Sequence, residues 1–411
     1  MNEQGVDAQQ LLARLADRQS KDPDVHSARL FGLVYPSGRP DLEDLMTEVT
    51  RRYLWGNALN PFRFPELGAM ESEVVGSVAS LLNRSQSERQ AGAMTSGGTE
   101  SILMAMLSYR EQGRARGIEQ PQILVPASAH PAYAKAAHYF GLELVRLPLD
   151  AAWRADVGAA HQLVTDRTVA VVASAFGYPY GIMDPVEELA ALAASAGAGC
   201  HVDACIGAFV LPFLERLGVD VPPFDFRTAG VTTISADVHK YGYVPKGASV
   251  ILHAADDWFE RQGFLYDDWG AGLYGSAAIA GARPAAPVAV SWAVINYLGA
   301  QGYTSIVAGL MKVVSRVRSF FESAEGVEIV GDPVGPVMAV HSPQGLDLQS
   351  VAAWMQERGW FLNRNVDPPG LHLMLSPGHA AVIEEMLADL DEALQAVRAG
   401  WSSNQSEVRY S

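Results

Sequence analysis

Cysteine is nearly absent from this chain. Cys200 and Cys205 are the only two among 411 residues. Two neighbouring thiols cannot build a disulfide framework, and a reducing cytoplasm is the simpler setting. Basic residues are scarce as well. Thirty Lys and Arg face 46 Asp and Glu, for a formal net charge of -16. That balance argues against a nucleic-acid backbone or an anionic membrane as partner. The N-terminal stretch "MNEQGVDAQQLLARLADRQ" carries acids and no apolar segment, so it does not read as a secretory signal. Residues 284–311 carry no charge, but Pro287, Asn296, Gln301, Gly302 and Thr304 interrupt them. They read as a buried helix followed by the start of another, not as a membrane span. No internal repeat and no low-complexity run is present.

What is present is enough apolar material for a large core, 49% of residues. Residues 1–64 read as an arm, with helices near 7–18 and 40–55. From 65 to 302 short apolar runs alternate with helical patterns. The runs are 122–126, 142–149, 169–175, 199–204, 231–236 and 249–253, and they suit strands buried on both faces. Helical patterns at 98–116, 130–140, 152–162 and 185–197 lie between them. This alternation implies an α/β domain built on a large, mostly parallel sheet, with ligands at the carboxyl ends of its strands. After 302 the texture changes to a compact α+β unit, 303–400. It comprises a long helix at 303–324, short strands, and helices at 347–358 and 378–399. Residues 401–411 read as a frayed tail.

Four stretches carry chemistry. In "MTSGGTESILMAM" (94–106), Gly97 and Gly98 precede Thr99 at the start of a helix. Glycines allow close backbone approach, and free N–H groups of the first turn can hold a phosphate. An ordinary glycine turn would read the same way. In "LVPASAHPAY" (124–133), His130 follows a strand at the sheet edge, where it can stack on a flat ring or merely cap a helix. In "GCHVDACIG" (199–207), Asp203 ends a buried strand, a costly place for a carboxylate without a cation. In "ADVHKYGYVPKGAS" (236–249), Lys240 sits among aromatics and apolar residues, a setting that can lower an amine's pKa and make it a nucleophile. A phosphate cup, a stacking histidine, a buried carboxylate and an activated lysine together are what pyridoxal 5'-phosphate requires.

With these motifs the chain resembles the group II pyridoxal-phosphate decarboxylases, and within them the sphingosine-1-phosphate lyases. The resemblance runs from "FGLVYP" to about residue 375 and rests also on "ASAHPAYAKAAHYFG", "HVDACIGAF" and "YGSAAIAGARP". It implies an aspartate-aminotransferase-like fold, fold type I, and a homodimer whose active sites are shared. It makes Lys240 the Schiff-base lysine, Asp203 the partner of the pyridine nitrogen and His130 the ring-stacking residue. Gly97, Gly98, Thr99 and His239 become phosphate contacts, with Gly281 and Ala282 reaching the neighbouring subunit's cofactor. Tyr35, Asn57, Asn60, Tyr178 and Lys246 fall on the substrate side.

The chain departs from the lyase pattern at three places. Asn60 stands where a histidine is usual and Phe62 where an acid is usual. Ala282 replaces the serine of "GSRP", and "PYG" with Tyr180 replaces "PHG". A neutral amide recognises a phosphate less well than a cationic imidazole. The altered substrate half therefore favours loss of carbon dioxide from an α-amino acid, free or carried on another protein. Retro-aldol cleavage of a phosphorylated amino alcohol is the alternative. A non-catalytic scaffold on the same fold is a third reading, opposed by the presence of Lys240, Asp203 and His130.

Overall fold

The computed structural model describes residues 1, 3–85 and 91–403. The expected frayed tail falls, from 404 onward, outside the described residues. Two helices open the chain, α1 (Ala8–Gln19) and α2 (Pro40–Arg52), followed by α3 (Pro65–Leu81). Asp7 caps α1 by accepting from Gln9 and Gln10 N–H, yet α1 buries none of its residues. The segment after it is anchored firmly. Phe31 is fully buried, stacks on His379 at 4.1 Å and meets Trp360 edge-on. Burial of a side chain of that size stabilises by roughly 1.5–3 kcal/mol.

The large sheet has seven strands: β1 (Gly92–Thr95), β2 (Gln122–Pro126), β3 (Glu143–Leu147), β4 (Thr168–Ser174), β5 (Gly199–Asp203), β6 (Val231–Ala236) and β7 (Ser249–His253). Their spatial order is β1-β7-β6-β5-β4-β2-β3. The pairs among β6, β5, β4, β2 and β3 are parallel, and β7 runs antiparallel to both its neighbours. Since β7 opposes both, β1 points the same way as β6. The expected run of buried strands holds for β2, β4 and β7, whose every residue is buried. β3 differs, because Glu143 and Arg146 are exposed. It is the sheet's edge, with a strand neighbour on one side only. β1 gave no periodic signal, being four residues long with Gly92 at its start.

Between the strands lie α4 (Gly98–Ala115), α5 (Ala132–Phe140), α6 (Val157–Leu163), α7 (Val186–Ser195) and α8 (Leu211–Arg216). α6 begins later than the pattern at 152–162 suggests, because Asp156 caps it by accepting from Ala159 N–H. A short helix α9 (Asp256–Glu260) and a hairpin of β8 (Phe264–Tyr266) and β9 (Tyr274–Ser276) follow.

The uncharged stretch 284–311 lies in α10 (Ala285–Ser323), which is kinked at Gly299 (φ 53°, ψ -176°). Only glycine adopts that backbone readily. Among the described residues, no helix is long and apolar enough to cross a membrane. The C-terminal unit is an antiparallel sheet of β10 (Glu328–Ile329), β11 (Val337–His341), β13 (Pro369–Met374) and β12 (Asn363–Val366), in that order. It packs with α11 (Leu348–Glu357) and α12 (Ile383–Arg398). A large, mostly parallel sheet followed by a smaller C-terminal α+β unit is the architecture that the resemblance implies.

Candidate active site

The carboxyl ends of β1, β2, β4, β5 and β6 meet around a cavity of about 350 Å³. Gly97, Gly98, Thr99, His130, Asp203, His239, Lys240, Lys246, Tyr35 and Tyr178 all line it. Topology thus brings together residues spread over more than two hundred positions of sequence.

The cup is the turn from β1 into α4. No side chain caps α4, so the N–H groups of its first turn remain available to an anion, with the helix dipole behind them. Gly98 is required sterically: a Cβ there would lie 2.8 Å from both Asp237 Oδ2 and Cys205 Sγ. Glu100 fixes the turn from behind, accepting from Ser96 N–H at 2.7 Å and from Ile279 N–H at 2.8 Å. It ties the cup to the loop that follows β9.

Asp203 ends β5. Its Oδ1 accepts from Cys205 N–H at 3.0 Å, which holds the carboxylate in the cavity wall. His130 lies between β2 and α5 and accepts at Nδ1 from Ala132 N–H, 3.1 Å. Burial lowers its pKa, partly opposed by Asp203, so the ring is neutral and suited to stacking.

Lys240 corrects a sequence expectation. Burial is the largest single influence and pulls its pKa down, but the Asp237 carboxylate 3.0 Å away together with the other groups facing it, Asp203 among them, more than offsets this, and the ammonium is held well above the usual lysine range. The aromatic context suggested the opposite sign, since it does not reveal the carboxylate. His239 is neutral, its pKa lowered by burial. It accepts at Nδ1 from Ala248 N–H, which leaves the proton on Nε2, 3.5 Å from Asp237 Oδ2.

Lys246 stands at the mouth. Its ammonium lies 4.2 Å from the centre of the Tyr35 ring and donates to His239 O at 3.4 Å. The surrounding protein and the like charge of Lys240 lower its pKa to about 8. Tyr178 forms another wall. His372 of β13 packs on its ring at 4.5 Å and donates to its carbonyl at 2.8 Å.

Four expected residues are not brought to this cavity within one chain. Asn57, Asn60 and Gly281 line a separate cavity of about 810 Å³, and Ala282 is exposed. Asn57 Oδ1 accepts from Leu59 and Arg283 N–H, and Asn60 Oδ1 from Arg63 N–H. The bonds from Leu59 and Arg63 form local turns, and the bond from Arg283 joins two distant loops. Arg283 ties the two loops to α3 through both oxygens of Glu71, at 2.8 and 2.9 Å. Phe62 is 94% exposed. Tyr180 bears on the structure and not on the cavity: it is buried and donates to Asp367 O at 2.6 Å, which pins the β12–β13 hairpin.

Asp237 and Glu100 are cavity residues that the sequence reading passed over. Asp237 lies three residues before Lys240, the spacing that lets side chains meet across a helical turn, and this was the available signal.

Whether the cavity fits pyridoxal phosphate can be judged from its own atoms. The uncapped turn of α4, the glycine that a side chain would fill, a half-buried carboxylate at the end of β5 and a lysine at the same edge match the cofactor's phosphate, ring and aldehyde. The comparisons agree. Residues 42–340 match the pyridoxal-dependent decarboxylase conserved domain. The chain belongs to this family of pyridoxal-phosphate enzymes, and it is a pyridoxal-phosphate-dependent lyase.

Among particular proteins, the chain is 37% identical to sphingosine-1-phosphate lyase 1 of Mus musculus, over 96% of this chain and 69% of that one. The solved structure of the Burkholderia pseudomallei K96243 sphingosine-1-phosphate lyase superposes with a TM-score of 0.92 at 36% identity, covering 97% of this chain and 93% of that one. The glutamate decarboxylase of Lactobacillus brevis superposes at 0.86 with 19% identity, covering 98% and 96%. That last match speaks for the fold alone.

Proposed function

We propose that the protein is an aldehyde-lyase that cleaves a phosphorylated long-chain amino alcohol between Cα and the hydroxyl-bearing carbon. The observation that carries this is Lys246, a second ammonium at the mouth of the Lys240 cavity, placed over Tyr35. A substrate phosphate needs such a cation once the cofactor's own phosphate occupies the cup. The preference for decarboxylation drawn from sequence gives way here. The lyases match at 36–37% identity over nearly the whole chain, the glutamate decarboxylase at 19%. Tyr180, counted as a sign of altered substrate, lies outside the cavity.

In this reading Lys240 would hold the cofactor by its aldehyde, the first turn of α4 with Thr99 and His239 would hold its phosphate, and His130 would pack on its ring. Asp203 keeps the ring nitrogen protonated. When bound, the cofactor supplies the sink for the electron pair left on Cα. The hydroxyl proton leaves, the Cα–C bond breaks, and Cα then takes a proton, so an aldehyde and an amino phosphate result. Lys246 and Tyr35 would hold the substrate's phosphate and so orient the substrate in the cavity.

The active unit in this reading is a homodimer. Asn57, Asn60, Gly281 and Ala282 would complete the neighbouring chain's site. Large apolar side chains near them are exposed, with Trp55 at 92% and Leu265 at 75%. Such a face is a poor surface for a lone chain in water. A protein with no membrane-crossing helix among its described residues fits the cytoplasm, the setting proposed for it.

The test is product analysis. Incubation with sphingosine 1-phosphate should yield hexadecenal and phosphoethanolamine, and a panel of α-amino acids should yield no carbon dioxide. Carbon dioxide without aldehyde would reverse the assignment.

A further inference from the structure

Asp237 is 2% exposed, and its Oδ1 is buried without a hydrogen-bond partner. Its other oxygen takes the Lys240 ammonium at 3.0 Å and faces His239 Nε2 at 3.5 Å. It lies against Gly98, at the wall of the cup itself. A carboxylate is an unexpected lining for a phosphate site, because it repels the ligand. Its position is explained by the lysine. We propose that Asp237 is a positioning residue that latches Lys240 as an ammonium in the cofactor-free protein and so governs which aldehydes the lysine can capture. This rests on Lys240 being the residue that binds the cofactor.

The chemistry follows from proton balance. Capture requires a neutral amine: nitrogen bonds to the aldehyde carbon and the oxygen leaves as water. An ammonium has no electron pair to give, so it must first release a proton to solvent. Each unit by which the lysine pKa is raised cuts its neutral fraction about tenfold at a given pH below that value. Asp203 also faces Lys240 and adds to Asp237, Cys205 and Tyr35 do so only once ionised, and burial and the Lys246 charge oppose it, as would a proton gained by His130 or His239. Asp237 is the carboxylate in direct contact. A latched lysine reacts slowly with a passing aldehyde. An aldehyde held in the cup by a phosphate on the α4 N-terminus stays long enough to react. The latch therefore favours the phosphorylated cofactor over stray aldehydes, including an aldehyde product.

The experiment uses the whole 411-residue chain, freed of cofactor with L-cysteine and dialysed. Pyridoxal 5'-phosphate and pyridoxal, which lacks the phosphate, are added separately, and the rise of visible absorbance is followed from about pH 6.5 to about pH 10. Borohydride trapping identifies the labelled lysine. In Asp237→Asn, capture of pyridoxal at about pH 7.5 should be about tenfold faster or more, capture of pyridoxal 5'-phosphate should also quicken but by a smaller factor, and both pH profiles should move to lower pH. Acceleration of pyridoxal phosphate alone would mean that Asp237 merely repels phosphate, and would overturn the proposal. Unchanged or slower capture of both would also overturn it. The wild-type chain gives a second check without a variant. Its pyridoxal capture should keep rising beyond about pH 9, and a plateau below that would show an unlatched lysine. Label on a lysine other than Lys240 would defeat the underlying reading instead, and trapping separates the two failures.

Discussion

Replacement of Lys246 by methionine isolates the contact on which substrate choice is proposed to depend. Methionine keeps the stem's length and packing over Tyr35 and removes the charge. A charge-assisted hydrogen bond contributes roughly 1.5–3 kcal/mol, so kcat/KM for a phosphorylated amino alcohol should fall about tenfold to about a hundredfold. The unphosphorylated parent alcohol should lose nothing. The pH profile gives a separate check. Lys246 carries its proton below about 8 and loses it above. A phosphate ester is largely dianionic above about pH 6. The pair is therefore complete between these limits, and kcat/KM should decline as pH rises past the Lys246 pKa. Lys246→Met should abolish this limb, and Lys246→Arg should move it out of range. Steady-state kinetics on the two alcohols would decide. Equal losses for both, or an alkaline limb that survives Lys246→Met, would refute the reasoning.

Other changes follow from the same geometry. Asp203→Asn should leave the fold and cofactor binding intact but lower kcat by about a hundredfold or more, read in a turnover assay, since the ring nitrogen loses the anion that keeps it protonated. Gly98→Ala would place a methyl 2.8 Å from Asp237 Oδ2 and Cys205 Sγ, and fluorescence titration should show cofactor affinity reduced at least about tenfold. Tyr180→Phe loses the bond to Asp367 O; denaturant melts should show about 1 kcal/mol less stability, with kcat unchanged.

The parallel sheet was legible because β2, β4 and β7 are buried throughout, so their apolar runs are unbroken. β1 was not, because four residues beginning with glycine carry no periodicity. That Gly97, Gly98, Thr99, His130, Asp203, His239 and Lys240 share one cavity was legible because each follows a strand or opens a helix within a local motif, whereas Gly281 and Ala282 do not reach that cavity. Local motif does not reveal who sits across the cavity. Asp237 set the charge of Lys240 against the expectation drawn from its aromatic neighbours. Tyr180 counted as a sign of an altered substrate because it stands where the lyases carry the histidine of "PHG", but the turn sends its hydroxyl to the β12–β13 hairpin. Asn57 and Asn60 lie in turns whose partners are backbone groups close in sequence and the distant Arg283 loop. No pattern in the loop itself announces that arrangement.

The central claim is that Lys240, not Lys246, holds the cofactor. Both ammonium groups line one cavity, and borohydride reduction of the cofactor-loaded protein followed by peptide mapping distinguishes them directly. The expected result is a single phosphopyridoxyl label on Lys240, with the visible absorbance lost in Lys240→Ala. A label on Lys246, or visible absorbance that persists in Lys240→Ala, would contradict the account.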